Sequence, residues 1–268
     1  MGNDFSNLSD SVDEIKDRLK ISEDIVDDTC PMCGGTGWVF DLTDGRRVAR
    51  RCECYTDRRR TILHRYARIP EKYSHCTLAS FNVEDESGFI APSLARASQI
   101  SREFVDLYPA VDRGLLFIGP CGVGKTHLAV GILKTLIEEK GAVGLFYDFR
   151  DLLRMIRRTY SPDSEISEFD ITDTILSADI LLLDELGSIK VTDWALDMLT
   201  HIIIRRYNDN KTLIVTSNFL DEPKREGEER LEDRISYRLR SRLYEMCATV
   251  EMSGSDYRKN HNKKNTFT

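Results

Sequence analysis

From about residue 80 onward, short runs of consecutive apolar residues alternate with longer stretches whose apolar positions return every three or four residues. The first kind predicts strands buried on both faces, and the second predicts amphipathic helices. Strands are expected at 114–118, 144–149, 179–184, 212–216 and 248–252. Helices are expected over 125–140, 150–160, 193–208 and 231–245, with another at 94–107 leading into the first strand. This alternation implies an α/β fold built on a parallel sheet covered by helices on both sides.

The chain ahead of residue 80 reads differently. Over residues 1–29 one short helical pattern stands out, with Ser11 and Glu14 at capping-box spacing and Val12, Ile15 and Leu19 on one face. So narrow a stripe makes no core, and it predicts docking against the rest of the chain or a partner. Residues 38–40 and 46–51 predict a small β-hairpin turning at Asp44-Gly45. The expected division is a module at 1–68 and a larger domain at 69–268.

Composition adds little until it is resolved along the chain. The sequence has 268 residues, 41% apolar and 31% charged, as in ordinary globular proteins. Its longest apolar runs are four residues, far short of the roughly 20 that span a bilayer. The acidic start lacks the apolar stretch of a secretory signal, so a cytoplasmic location is expected. Net charge is −7, which argues against general affinity for nucleic acid. The charge is segregated, however. Residues 1–29 carry nine acids and three bases, whereas residues 46–68 carry nine arginines against Glu53 and Asp57.

The segment Gly119-Pro120-Cys121-Gly122-Val123-Gly124-Lys125-Thr126 fits G-x-x-x-x-G-K-[ST] between an apolar strand and a helical pattern. Glycines there let backbone N–H groups wrap phosphate oxygens, and the helix start adds its positive dipole end. Lys125 is expected on the β- and γ-phosphates and Thr126 on Mg²⁺, with the nucleotide contacts reaching His127. Further on, Ile180-Leu-Leu-Leu-Asp184-Glu185 places two carboxylates at the C-terminal end of a buried strand, where open α/β sheets bind ligands. Asp184 is assigned to the hydration shell of Mg²⁺, and Glu185 to polarising the attacking water. Asn218, closing the next buried strand, suits a γ-phosphate sensor. Arg234, Arg238 and Arg242 recur at one-turn spacing, with Arg240 among them. They form either a solvated basic face or the source of an arginine finger for a neighbouring subunit.

From about Pro70 to Arg258 the sequence resembles the DnaC/DnaI-type helicase loaders, a branch of the AAA+ ATPases that includes the IstB-like transposition helpers. The resemblance rests on 119–126, 181–186, Thr216-Ser217-Asn218, Arg238-Leu-Arg-Ser-Arg242-Leu-Tyr-Glu-Met and Ser255-Asp-Tyr-Arg258. It implies an AAA+ P-loop fold without a separate helical lid. It also implies ATP hydrolysis, ATP-dependent homo-oligomers, and action on a replicative DNA helicase and single-stranded DNA. Arg242 becomes the first choice for the finger and Arg238 the second. Arg258 becomes a second sensor touching nucleotide in the same chain. Arg150, Arg154, Arg157 and Arg158 would line a path for single-stranded DNA, and the N-terminal region would contact the helicase.

Seven cysteines without an export signal point to metal ligands before disulfides. Cys30-Pro-Met-Cys33 and Cys52-Glu-Cys54 offer four thiolates, and a closed structural Zn²⁺ site is the expected use. A redox pair, free thiols or an iron–sulfur cluster remain alternatives. Cys76, Cys121 and Cys247 suggest packing or loop roles. At this level the leading reading is an ATP-driven helicase loader. The alternatives are a transposition helper, a non-hydrolysing nucleotide-gated adaptor and a small-molecule phosphotransferase. The nearby arginines suit either phosphates or an acidic partner.

Overall fold

The computed structural model describes residues 30–43, 46–84, 88–161, 167–222 and 227–258. The helical pattern at 11–19 and the Asp44-Gly45 turn lie outside the described residues. The chain divides into two compact units, Met1–Ile62 and Leu63–Thr268.

In the first unit, β1 (Trp38–Thr43) pairs antiparallel with β2 (Arg46–Arg51), in a register running from Trp38 opposite Arg51 to Thr43 opposite Arg46. Every position of β2 is exposed, so the hairpin has no apolar interior of its own. The unit's buried residues include Cys33 and Cys52, beside which helix α1 (Glu53–Tyr66) begins.

The second unit is built on five parallel strands in the order β4-β5-β6-β3-β7. They are β3 (Gly114–Ile118), β4 (Gly144–Asp148), β5 (Ile180–Asp184), β6 (Thr212–Ser217) and β7 (Cys247–Glu251). All five residues of β3 and of β5 are buried. Side chains alternate between the two faces of a strand, so both faces are covered, and unbroken apolar runs are what such strands require. The helices are α2 (Pro92–Leu107), α3 (Lys125–Lys140), α4 (Phe149–Arg158), α5 (Glu168–Ser177), α6 (Asp193–Asn208), α7 (Leu231–Ile235) and α8 (Tyr237–Met246). Helix α3 contacts four strands, β3, β4, β5 and β6, and buries Leu128, Ile132, Leu133 and Leu136.

Three departures from the sequence expectation have local causes. The helix expected over 231–245 is two helices, because Ser236 adopts a φ of 77° and its hydroxyl accepts from the Leu239 N–H as the cap of α8. Arg234 therefore leaves the row it was expected to share with Arg238 and Arg242. Its guanidinium instead donates to the Gly187 carbonyl at 2.9 Å and pairs with Glu229. Helix α5 went unforeseen, although Ser167 and Asp170 form a capping box at its start. Strand β4 ends at Asp148 rather than 149, since that carboxylate accepts from the Arg150 and Asp151 N–H groups and caps α4.

Two buried arginines tie the domain together. Arg206 on α6 donates to the carbonyls of Ile175, Ala178, Asp179 and Thr212 at 2.6–3.1 Å. These groups end α5 and open β5 and β6, so one side chain closes carbonyls that helix ends leave unmatched. Arg240 is 1% exposed, unlike the solvated basic face proposed for its neighbours, and forms a two-pronged pair with Asp221 at 2.6 and 2.5 Å.

Candidate nucleotide-binding site

The C-terminal ends of the parallel strands open on a cleft of about 950 Å³. Residues 121–124 of the loop that leaves β3 line it, and all three of the loop's glycines are dictated by close neighbours. A Cβ on Gly119, at φ 147°, would run into the Met252 carbonyl. One on Gly124, at φ 94°, would lie 2.6 Å from the Phe81 ring. Packing against the chain itself therefore demands glycine at these positions, in a loop type whose backbone N–H groups can cradle phosphate.

Lys125 opens α3 almost fully buried, and its ammonium donates to the Gly119 and Pro120 carbonyls at 2.8 and 2.7 Å. Burial lowers its pKa to about 8, although the carboxylates of Asp184 and Glu185 work in the opposite direction. Thr126 follows, and its hydroxyl donates to Asp184 Oδ1 at 2.8 Å. His127 lies one residue further, with Nε2 2.9 Å from the Thr77 carbonyl and 3.1 Å from Ser80 Oγ. These contacts fasten the segment ahead of α2 to the first turn of α3.

Asp184 is 1% exposed at the end of β5. Desolvation raises its pKa, while hydrogen bonds from the Thr216 and Thr126 hydroxyls pull the other way. The Thr216 bond is 2.6 Å long. The same Thr216 oxygen accepts from the Glu185 N–H at 3.0 Å. Glu185 stands in the left-handed region at φ 57°, where a non-glycine residue is costly unless its surroundings hold it. Thr216 therefore fixes both carboxylates, one by side chain and one by backbone. Sequence reasoning missed it as a site residue. The signal was available, because parallel pairing of Leu183 with Val215 carries the next residue of β6 to the end of β5.

The sequence candidates divide into two groups. The loop 119–126 shares its cleft with Glu185, Asn218, Thr216 and Arg258. Arg258 donates to Asp256, whose carboxylate raises its pKa. Arg238 and Arg242 are exposed on α8 and do not line the cleft. Arg242 pairs with Glu245 at 2.7 Å. The basic positions of α4 are exposed, apart from the side that buries Leu152, Leu153 and Ile156.

In the first unit the Sγ atoms of Cys30, Cys33, Cys52 and Cys54 all lie within 4.8 Å of one another. Cys30 and Cys52 are 3.8 Å apart, Cys33 and Cys54 3.4 Å. Tetrahedral zinc with bonds of about 2.3 Å needs sulfur–sulfur edges of about 3.8 Å. The Gly37 N–H donates to Cys33 Sγ at 3.3 Å, a contact suited to a thiolate. The donor set fits a zinc ion.

A family model described as IstB-like ATP binding protein matches residues 46–265. The chain belongs to this family. Among solved structures, the DnaC helicase loader shares 30% identity, with a TM-score of 0.59 over 69% of this chain and 100% of its own. The phage-like element PBSX protein XkdC of Bacillus subtilis (strain 168) is 21% identical over 87% of this chain and 85% of its own. The replicative helicase loader DnaC of Escherichia coli (strain K12) is 25% identical over 61% and 64%. The chain spans about three fifths of the length of most curated relatives it matches. The fold expected from the resemblance is present: an AAA+ domain around a five-stranded parallel sheet. Among the described residues no lid domain follows β7. Like its IstB-like relatives, the chain is an ATP-binding protein by family. None of its described helices is long and apolar enough to cross a membrane.

Proposed function

We propose that this protein hydrolyses ATP and acts as a loader of the replicative helicase in DNA replication, engaging single-stranded DNA as it does so. The observation that carries the reading is the junction of Thr126, Asp184, Glu185 and Thr216 beside the glycine loop. Binding alone does not call for a carboxylate held beside a phosphate loop by an otherwise strained backbone. Hydrolysis does, because water must be aimed and polarised. Relatives bearing the name helicase loader support the rest.

Backbone N–H groups of 119–124 and the amino end of α3 bind the phosphates, and Lys125 exchanges its two carbonyls for phosphate oxygens. Thr126 and Asp184 would hold Mg²⁺, which would supply neutralisation of phosphate charge. Glu185 orients and polarises the attacking water, and Asn218 steadies it or the γ-phosphate. Arg258 contacts the nucleotide from within the chain. Arg242, or failing it Arg238, reaches the nucleotide of an adjacent copy in an ATP-dependent homo-oligomer. Cys30, Cys33, Cys52 and Cys54 hold Zn²⁺, and the unit they fold is the helicase-facing part of residues 1–68, joined to the ATPase domain at 69–268. The protein acts in the cytoplasm.

Two assays test this. Glu185→Gln should retain ATP binding and lose turnover; an unchanged rate would remove Glu185 as the base and revive a nucleotide-gated adaptor. The purified chain should capture the replicative helicase in at least one nucleotide state, and failure in all states ends the loader reading. The family description favours one second reading, an IstB-like helper of transposition. ATP-dependent filaments on double-stranded DNA, without helicase capture, would establish it.

A further inference from the structure

The hairpin of the first unit carries a face that its own fold does not use. Directly opposed residues of an antiparallel pair share a face, so Trp38, Phe40 and Leu42 stand on one side with Arg51, Ala49 and Arg47 across from them. Phe40 is 63% and Leu42 77% exposed, and Trp38 remains 40% exposed. Guanidinium groups flank the rings. Arg51 lies 3.8 Å from the centre of the Trp38 ring and 4.2 Å from that of Tyr55, while Arg47 stands 5.8 Å from Phe40. On the other face Arg50 is paired with Asp41.

Strand β2 alone carries four arginines, Arg46, Arg47, Arg50 and Arg51, and no acid. A folded unit normally buries its aromatic residues; this one sets them out and rings them with positive charge. The matching ligand is a polyanion that also carries flat apolar rings. Trp38 and Phe40 are two residues apart in a strand, hence about 7 Å along it, twice the rise of about 3.4 Å between successive bases of a strand. Exposed aromatic platforms beside arginines are how proteins take up unpaired bases without reading sequence.

We infer that the Trp38–Phe40–Leu42 face of the hairpin is a binding surface for single-stranded nucleic acid, with bases on Phe40 and Trp38 and phosphates on Arg47 and its neighbours. The inference rests on the single-stranded DNA part of the proposed function and gives that contact a place outside the ATPase domain. An acidic peptide satisfies the arginines and covers the rings by apolar contact alone, whereas unpaired bases add ring-on-ring stacking.

The test is fluorescence anisotropy of a labelled 20-nucleotide oligo-dT with the full zinc-loaded chain between about 50 and 200 mM salt. Phe40→Ala should weaken binding about 5- to 150-fold, the range for loss of one stacking platform. Arg47→Gln should weaken it and shrink the slope of log K against log salt by about 0.7. Val48→Ala, on the opposite face, should bind like the parent. Zinc content and ATP turnover, unchanged in all three, show that the fold persists. If the parent binds and Phe40→Ala and Arg47→Gln bind equally well, the surface lies elsewhere and the inference fails while the DNA part of the proposed function stands. If the parent does not bind at 50 mM salt, both fail. If the variants keep the oligonucleotide but lose the purified helicase, the face is a protein surface and the inference is overturned.

Discussion

Thr216 offers the sharpest test of the cleft. Replacing it by valine keeps the shape and removes one oxygen, which donates to Asp184 at 2.6 Å and accepts from the Glu185 N–H at 3.0 Å. A hydrogen bond to a charged group contributes about 1.5–3 kcal/mol, and a buried N–H left without a partner costs about 1–3 kcal/mol. The two losses overlap, because both act on the same strand end, so about 2–4 kcal/mol is a reasonable combined figure. If this is felt in the transition state, kcat/KM for ATP falls about 30- to 900-fold. The acid limb of the pH profile should also move. Asp184 already has a raised pKa through desolvation, and the Thr216 hydroxyl is one of the groups restraining it. Its removal raises the value further, so the carboxylate charges only at higher pH and the limb shifts upward. Thr216→Ser keeps the oxygen and should retain most activity. The measurement is kcat/KM against pH at saturating Mg²⁺ for both variants. A valine variant that loses thermal stability while keeping kcat/KM and its pH limb would refute the reasoning, since the hydroxyl would then be structural only.

Other expectations follow from the same geometry. Nucleotide phosphates should restore the lowered pKa of Lys125 from about 8, so ATP binding at pH 8 takes up about half a proton. Calorimetry in buffers of different ionisation enthalpy reads this, and the uptake should vanish near pH 6.5. Gly119→Ala puts a methyl group against the Met252 carbonyl and should abolish ATP binding in a titration with labelled nucleotide. Arg240→Ala leaves Asp221 without its buried partner and should cost about 3–5 kcal/mol in denaturant unfolding. Metal analysis should find about one zinc per chain, reduced well below that by Cys33→Ser, with ATP turnover measured in parallel.

The sequence was most readable where a residue type has one use. Four buried apolar residues followed by two acids gave β5 to within a residue, and the glycine spacing gave the loop. It was least readable where position depends on a partner far along the chain. Thr216 looks like any strand threonine until β6 is set beside β5. Arg240 and Arg206 look like surface arginines, because nothing local reveals that Asp221 or four distant carbonyls await them. The break at Ser236 was hidden because apolar spacing continues across it. Arg238 and Arg242 do not line the chain's own cleft.

Lys125 rests on the Gly119 and Pro120 carbonyls, so its charge latches the loop to itself. Arriving phosphates must open that latch, and departing ones allow it to close. Part of the attraction for ATP is therefore offset in advance by contacts the chain supplies itself. On the proposed reading the same two contacts re-form as product leaves, which offsets part of the cost of releasing it.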